Sequence, residues 1–78
     1  MNTKQLKKII SKALNVSEKQ ITEETNSDNL EEWDSLGHLS IMSSLDKNLK
    51  GKISATSLQE AYSFKKIASI LIKKNILE

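Results

Sequence analysis

Apolar residues recur near both ends of the chain at the spacing of one helix face, i, i+3, i+4, i+7 and i+8. The two sets are Leu6, Ile9, Ile10, Ala13 and Leu14, and Phe64, Ile67, Ala68, Leu71 and Ile72. Each set predicts an amphipathic helix with this face in the core. Thr3 and Ser63 are the expected N-caps of these helices, because a short hydroxyl side chain can satisfy the free N–H groups of a first turn.

The middle of the chain predicts a long connection and two further helices. Residues 22–34 are mostly polar, and Leu30 and Trp33 are their apolar anchors. A second helix is expected from Ser35 to Leu49, and a short third one over residues 56–62. With no strand alternation, no Pro and no internal repeat, residues 1–78 read as one all-α domain. Its architecture is a small bundle of three main helices plus one short helix, with a long loop between helices one and two.

The second helix carries more apolar surface than a core requires. At 100° per residue, Ile41, Leu45 and Leu49 share one arc, whereas Leu36 and Leu39 fall on its far flank. Two explanations stay open for this pair. They are either the rim of the core or a small partner-contact patch beside the start of the helix.

Charge is segregated along the chain, although the formal net charge is only +2. Residues 1–20 carry five Lys and one Glu, residues 21–46 carry seven acids and no Lys, and residues 47–78 carry seven Lys and two Glu. The net charges are therefore +4, −7 and +5. An acidic middle third would repel phosphate, and the chain has no Arg to read base edges, so nucleic acid is not an expected partner.

Composition excludes several kinds of site. The chain has no Cys and one His, which excludes disulfides, thiolate catalysis and multi-His or Cys zinc sites. The acids of the middle third do not fit the ligand spacing of an EF-hand, so no metal site is expected. No apolar run approaches the roughly 20 residues of a membrane span, and the first segment is Lys-rich and amphipathic. A soluble cytoplasmic protein is the resulting expectation.

The segment from Glu32 to Leu39 joins the acidic connection to the apolar second helix. Ser35 lies at this junction, with Asp34 before it and Leu36 after it, and either Asp34 or Ser35 is the expected cap. A phosphodiester on Ser35 would lie at a helix N-terminus, where free N–H groups favour an anion. Asp34-Ser35-Leu36 resembles the attachment motif of acyl carrier proteins, and the chain length and helix order resemble that family over nearly the whole chain.

The resemblance implies a carrier and not an enzyme, so no catalytic residue is expected. Ser35 would be esterified to 4′-phosphopantetheine from coenzyme A by a separate phosphopantetheinyl transferase, and Asp34 matches the motif's acid. The arm would carry acyl or aminoacyl groups as thioesters between loading and transferring enzymes. A chain without Cys could then perform thiol chemistry, because the sulfur belongs to the cofactor. The carrier is expected to be a monomer.

The same resemblance suggests where partners would bind. Leu36 and Leu39 match positions that partner enzymes touch in the family, which favours the contact patch. The second helix of the family usually carries several Glu residues. The matching positions in this chain are Ser40, Asp46 and Lys47, of which only Asp46 is acidic. The missing acids disfavour docking on fatty-acid synthesis enzymes, and a specialised pathway is the expected setting. The interior of the bundle, which can shelter an acyl chain in the family, would here include Ile53, Ala61 and Tyr62.

Other hypotheses compete at this junction. Ser35 alone would be explained by helix capping. A nucleophilic Ser35 with His38 as its base lacks an oxyanion hole or a third orienting residue in the sequence. His38 is instead expected at the surface of the first turn, and Trp33 as a plug in the core. The alternative function is a helical protein-interaction module without a cofactor.

Overall fold

Four helices form the protein in its computed structural model, which describes the backbone of all 78 residues and every side chain except that of Ala55. The helices are α1 (Thr3–Leu14), α2 (Ser35–Leu49), α3 (Ala55–Leu58) and α4 (Phe64–Lys73), and one 3-10 turn spans Glu18–Gln20. The described chain forms no strand. The predicted all-α bundle of three main helices and a short one is confirmed.

The start of α1 differs from the prediction. Asn2, not Thr3, is the N-cap, and Thr3 is the first residue of the helix. The Asn2 side chain accepts a hydrogen bond from the Gln5 N–H at 2.8 Å, and the Gln5 side chain accepts one from the Asn2 N–H at 2.9 Å. The prediction of Thr3 as the N-cap is wrong, because the two reciprocal bonds between Asn2 and Gln5 satisfy two backbone donors. The Thr3 hydroxyl alone could not do this. The helix ends at Leu14, and its C-cap residue Asn15 has a left-handed φ of 58°.

The core lies between the inner faces of α1, α2 and α4. Its fully buried aliphatic residues include Leu6, Ile10, Ile41, Leu45, Ile67 and Leu71. The expected faces of the three main helices are therefore correct for most positions. Ile72 is the exception, because it remains 53% exposed on the flank of α4.

Helices α1 and α2 run antiparallel. Leu14 at the end of α1 lies against Gly37 near the start of α2. At the other end of the pair, Gln5 and Asn48 line the same surface groove. This arrangement brings the start of α2 to the end of the bundle where the chain leaves α1.

Backbone hydrogen bonds attach the long connection to the link between α3 and α4. The Phe64 N–H donates to the Thr25 carbonyl at 2.9 Å, and the Ser27 N–H donates to the Tyr62 carbonyl at 3.0 Å. Asn26 and Ser63 form an isolated antiparallel bridge between the same segments. The connection is thus held in place before it reaches α2, although few of its own side chains are buried.

The elements that follow α2 lie where the sequence predicts them, although α3 differs in length. Helix α2 ends at Leu49, and Lys50 and Gly51 follow with φ values of 48° and 80°. Helix α3 is only four residues long, shorter than expected, but Leu58 and Ala61 are both buried as predicted. No helix of the described chain combines the length and apolar character needed to cross a membrane.

Candidate functional site

The candidate site is the start of α2. Asp34 is the N-cap, and its Oδ1 accepts a hydrogen bond from the Gly37 N–H at 2.8 Å. Ser35 is the first residue of the helix, and its side chain is exposed. Because Asp34 performs the capping, the Ser35 hydroxyl is not used for it. The explanation of Ser35 as a helix cap is therefore wrong, and the hydroxyl is accessible at a helix N-terminus.

Close packing positions the backbone immediately around Ser35. A Cβ atom added to Gly37 would collide with the backbone carbonyl of Glu32 and would lie 2.8 Å from Leu14 Cδ2. Only glycine therefore allows the first turn of α2 to approach both the connection and α1 so closely. On the other side of Ser35, Trp33 is 1% exposed, which confirms that it is a core plug.

The position of His38 differs from the prediction, because the residue is buried and does not lie at the surface. Its side chain is 2% exposed and both ring nitrogens are hydrogen-bonded. The Trp33 Nε1–H donates to His38 Nδ1 at 3.0 Å, and His38 Nε2 lies 3.0 Å from the carbonyl oxygen of Leu58 in α3. The indole can only donate, so Nδ1 accepts and the ring proton lies on Nε2, which donates to Leu58. Helical position alone suggested exposure, whereas these two partners make burial of the imidazole possible.

This geometry also excludes the nucleophile–base pair. A base for Ser35 would need an unprotonated imidazole nitrogen aimed at the serine hydroxyl. In His38 the acceptor nitrogen is occupied by Trp33, and the other nitrogen faces Leu58. The His38 side chain is buried in the protein, whereas the Ser35 side chain is exposed to solvent.

The residues expected to line an interior chamber divide between two environments. Ile53 and Ala61 are buried in the core, as expected. Tyr62 is 44% exposed, and its ring packs on His38 with a centroid distance of 4.2 Å. Tyr62 therefore covers the imidazole from the surface, and the expectation that it lines the interior is wrong for this residue.

The four residues expected to contact partners lie on one exposed face of α2. Leu36 is 75% exposed and Leu39 is 57% exposed, so the pair is not the rim of the core. Ser40 and Asp46 are also exposed. At 100° per residue these four side chains fall within an arc of about 120°. We call this set, Leu36, Leu39, Ser40 and Asp46, the α2 patch.

Several acidic residues of the connection lie close to the junction in sequence, and the described residues contain no group of three or more His, Cys, Asp or Glu side chains placed to hold a metal ion. Glu31, Glu32 and Asp34 are exposed. Over the described side chains, one ion pair forms, between Lys65 and Glu24 at 3.1 Å. Both members are exposed to solvent, so this pair contributes little to stability.

The hydrogen-bonded chain from Trp33 through His38 to Leu58 is the part of the site that sequence reasoning missed. Trp33 and His38 are five residues apart, and the loop–helix boundary lies between them. No regular spacing rule covers a pair that spans such a boundary. The available signal was chemical: one buried indole donor and one imidazole lie close in sequence, and a buried indole N–H usually finds a partner.

Comparisons with known proteins return no match: no family model fits the chain, and neither the curated proteins nor the solved structures contain a match.

Proposed function

We propose that this protein is an acyl carrier protein that bears 4′-phosphopantetheine on Ser35. The observation that carries the proposal is the exposed Ser35 hydroxyl at the first position of α2, between the Asp34 cap and the exposed Leu36. These three residues form the Asp-Ser-Leu sequence that resembles the family's attachment motif. Their surroundings, a long connection before and an amphipathic helix after, agree with the same resemblance.

The residues present suit the proposed group. A phosphodiester on Ser35 lies where α2 has unpaired backbone N–H groups and the positive end of its dipole, both of which stabilise an anion. The side chain of Ser35 is exposed, so an external transferase can reach it. When bound, 4′-phosphopantetheine supplies the thiol on which acyl or aminoacyl groups are held as thioesters.

Each neighbouring side chain has a defined part in this function. Ser35 holds the arm through its hydroxyl oxygen. Asp34 fixes the first turn through its bond to the Gly37 N–H, and it is also the acid of the motif that the transferase meets. Leu36 and Leu39 offer exposed apolar contacts to the transferase and to the enzymes that load and unload the cargo.

The charge of the α2 patch narrows the choice of partner. Asp46 is its single acid, and Lys47 follows directly. A broad electrostatic contact with a basic enzyme surface is therefore weak, and the two leucines provide most of the contact. On this basis we propose a specialised pathway for the carrier. Its monomeric state and its cytoplasmic location stay predictions.

Mass spectrometry tests the proposal directly. The purified protein is incubated with coenzyme A and a broad-specificity phosphopantetheinyl transferase, and the intact mass is measured. We expect a gain of one phosphopantetheine in the wild type and in Ser43→Ala, an exposed serine on the same helix. We expect no gain in Ser35→Ala. An unmodified wild type, or a gain that persists in Ser35→Ala, would refute the carrier function.

A cofactor-free protein-interaction module is the second candidate. It is favoured by the same exposure of Leu36 and Leu39, which by itself needs no arm. The two functions differ in what Ser35→Ala does to partner binding. A carrier loses its cargo transfer with this variant, whereas an interaction module keeps its partner because the alanine leaves both leucines in place.

A further inference from the structure

Three segments of the chain meet at one buried imidazole. Trp33 belongs to the long connection, His38 to the first turns of α2, and Leu58 to α3. The indole and the Leu58 carbonyl oxygen each lie 3.0 Å from a different nitrogen of His38. Tyr62 packs over the same ring from the solvent side. We call the hydrogen-bonded chain Trp33–His38–Leu58 the latch.

Each hydrogen bond of the latch can form with only one assignment of donor and acceptor. The indole donates to Nδ1, and Nε2–H donates to the carbonyl, so every polar group in it is used once. Trp33 and His38 are both almost completely buried. Breaking either bond leaves a buried donor or acceptor without water as a substitute, which is why the latch favours one arrangement of its three segments.

The latch brackets Ser35 in sequence and in space. Trp33 lies two residues before Ser35, and His38 lies three residues after it. Between them, the Asp34 carbonyl accepts a hydrogen bond from the His38 N–H at 2.8 Å, and the Asp34 side chain caps Gly37. The backbone that carries the Ser35 hydroxyl is therefore fixed at both ends of one turn, and the far end is tied to α3.

We infer that His38 is a positioning residue: through its bonds to Trp33 and Leu58 it holds the first turn of α2 against α3 and so sets the orientation of the Ser35 hydroxyl. His38 itself does not touch a reacting atom. The effect on modification rests on the proposed function, whereas the effect on the first turn of α2 does not. A hydroxyl on a turn that frays spends less time in the geometry a transferase requires, and misplacement of a reacting group slows reaction steeply.

A spectroscopic signature tests the tautomer. Long-range proton–nitrogen NMR correlations of the wild type distinguish a protonated from an unprotonated imidazole nitrogen. We expect an unprotonated Nδ1 and a protonated Nε2 at neutral pH, together with an indole proton of Trp33 that exchanges slowly with solvent. A proton on Nδ1, or a rapidly exchanging indole proton, overturns the latch.

Four variants distinguish the contributions of the two hydrogen bonds that the His38 ring makes. Trp33→Phe removes the donor and keeps an aromatic ring. His38→Asn keeps an acceptor near the position of Nδ1, His38→Gln keeps a donor near that of Nε2, and His38→Leu removes both. Ile67→Val is the control, because it trims a buried residue on α4 outside the latch. All are compared at a temperature where circular dichroism shows each to be folded, and Trp33→Phe serves if His38→Leu does not fold.

The rate of mass gain with coenzyme A and a transferase is the functional measurement. We expect Trp33→Phe and His38→Leu to be modified more slowly than wild type by on the order of 10-fold, with partial rescue in His38→Asn and His38→Gln. The Ile67→Val rate should match the wild type. Wild-type rates in folded Trp33→Phe and His38→Leu overturn the positioning role.

Amide exchange makes the outcome independent of the carrier proposal. The Gly37 and His38 amides both donate to Asp34, so they report fraying of the first turn. We expect both to exchange faster in Trp33→Phe than in Ile67→Val. If the wild type gains no mass, the carrier proposal fails, and unchanged exchange of these two amides in Trp33→Phe then overturns the positioning role as well.

Discussion

Gly37 in α2 lies so close to Leu14 at the end of α1 that a Cβ atom on residue 37 would stand 2.8 Å from Leu14 Cδ2. The same atom would collide with the backbone carbonyl of Glu32. A side-chain methyl group could move away by rotation, but a backbone carbonyl cannot. The absence of a side chain at Gly37 is therefore what lets α2 begin where the connection and α1 meet.

Gly37→Ala should destabilise the protein, although alanine is the better helix former. We expect a loss of about 1–3 kcal/mol in the free energy of unfolding, because the methyl group overpacks the junction. Urea denaturation provides the measurement. The matched control is Ser43→Ala, an exposed position in the same helix, which should change stability by no more than about 0.5 kcal/mol. Equal stability of the two variants would contradict the close approach.

Two substitutions distinguish the capping role of Asp34 from its proposed role as the acid of the attachment motif. Asp34→Ala removes the cap and should lower the free energy of unfolding by about 0.5–2 kcal/mol, whereas Asp34→Asn keeps a side-chain oxygen for the Gly37 N–H and should remain near wild type. If Asp34 is also the acid of the attachment motif, both variants should be modified slowly by a phosphopantetheinyl transferase. Full modification of Asp34→Asn would leave Asp34 with the capping role alone.

Leu36→Ala should impair partner turnover far more than folding. The Leu36 side chain is 75% exposed, so its truncation should change the free energy of unfolding by no more than about 0.5 kcal/mol. Transfer of the phosphopantetheine arm by the transferase should fall, because an exposed apolar contact of the α2 patch is lost. Ile72→Ala, another exposed apolar residue but on α4, is the control and should leave transfer unchanged. Comparable losses of stability and transfer would mean that Leu36 acts on the fold and not as a specific partner contact.

The acidic connection should respond to cations. Glu23, Glu31 and Glu32 are exposed in the same segment as Asp28 and Asp34, and their mutual repulsion is strongest at low salt. Added magnesium should therefore raise the melting temperature at low ionic strength, and the effect should disappear at high salt. The melting temperature is followed by circular dichroism. An unchanged melting temperature at low salt would show that repulsion in this segment does not destabilise the fold.

Local physical chemistry explains why most of the architecture was predictable. The inner faces of α1, α2 and α4 follow from helical periodicity, and Ser63 and Asp34 are caps because their side chains reach the free N–H groups of the next turn. Thr3 failed as a cap for an equally local reason. The reciprocal bonds of Asn2 and Gln5 moved the helix start by one residue.

His38 and Tyr62 show where such reasoning stops. Their places depend on which distant group meets each ring, and Leu58 is twenty residues from His38 along the chain. A polar imidazole in the core is unfavourable unless both nitrogens find partners, and only the folded chain brings an indole and a carbonyl to them. The exposure of Leu36 and Leu39 was decided in the same way, because two explanations fitted their angular positions and burial depended on whether another element covered them.

The sequence by itself determined the helices, their buried faces and the exposed junction that begins with Asp34 and Ser35, because periodicity and capping act within one or two turns. Only the tertiary structure decided how that junction is held. Gly37 fits against Leu14, and His38 bonds to Leu58, through contacts between segments that are remote in the chain. Such contacts are set by the packing of whole elements, which no local pattern encodes.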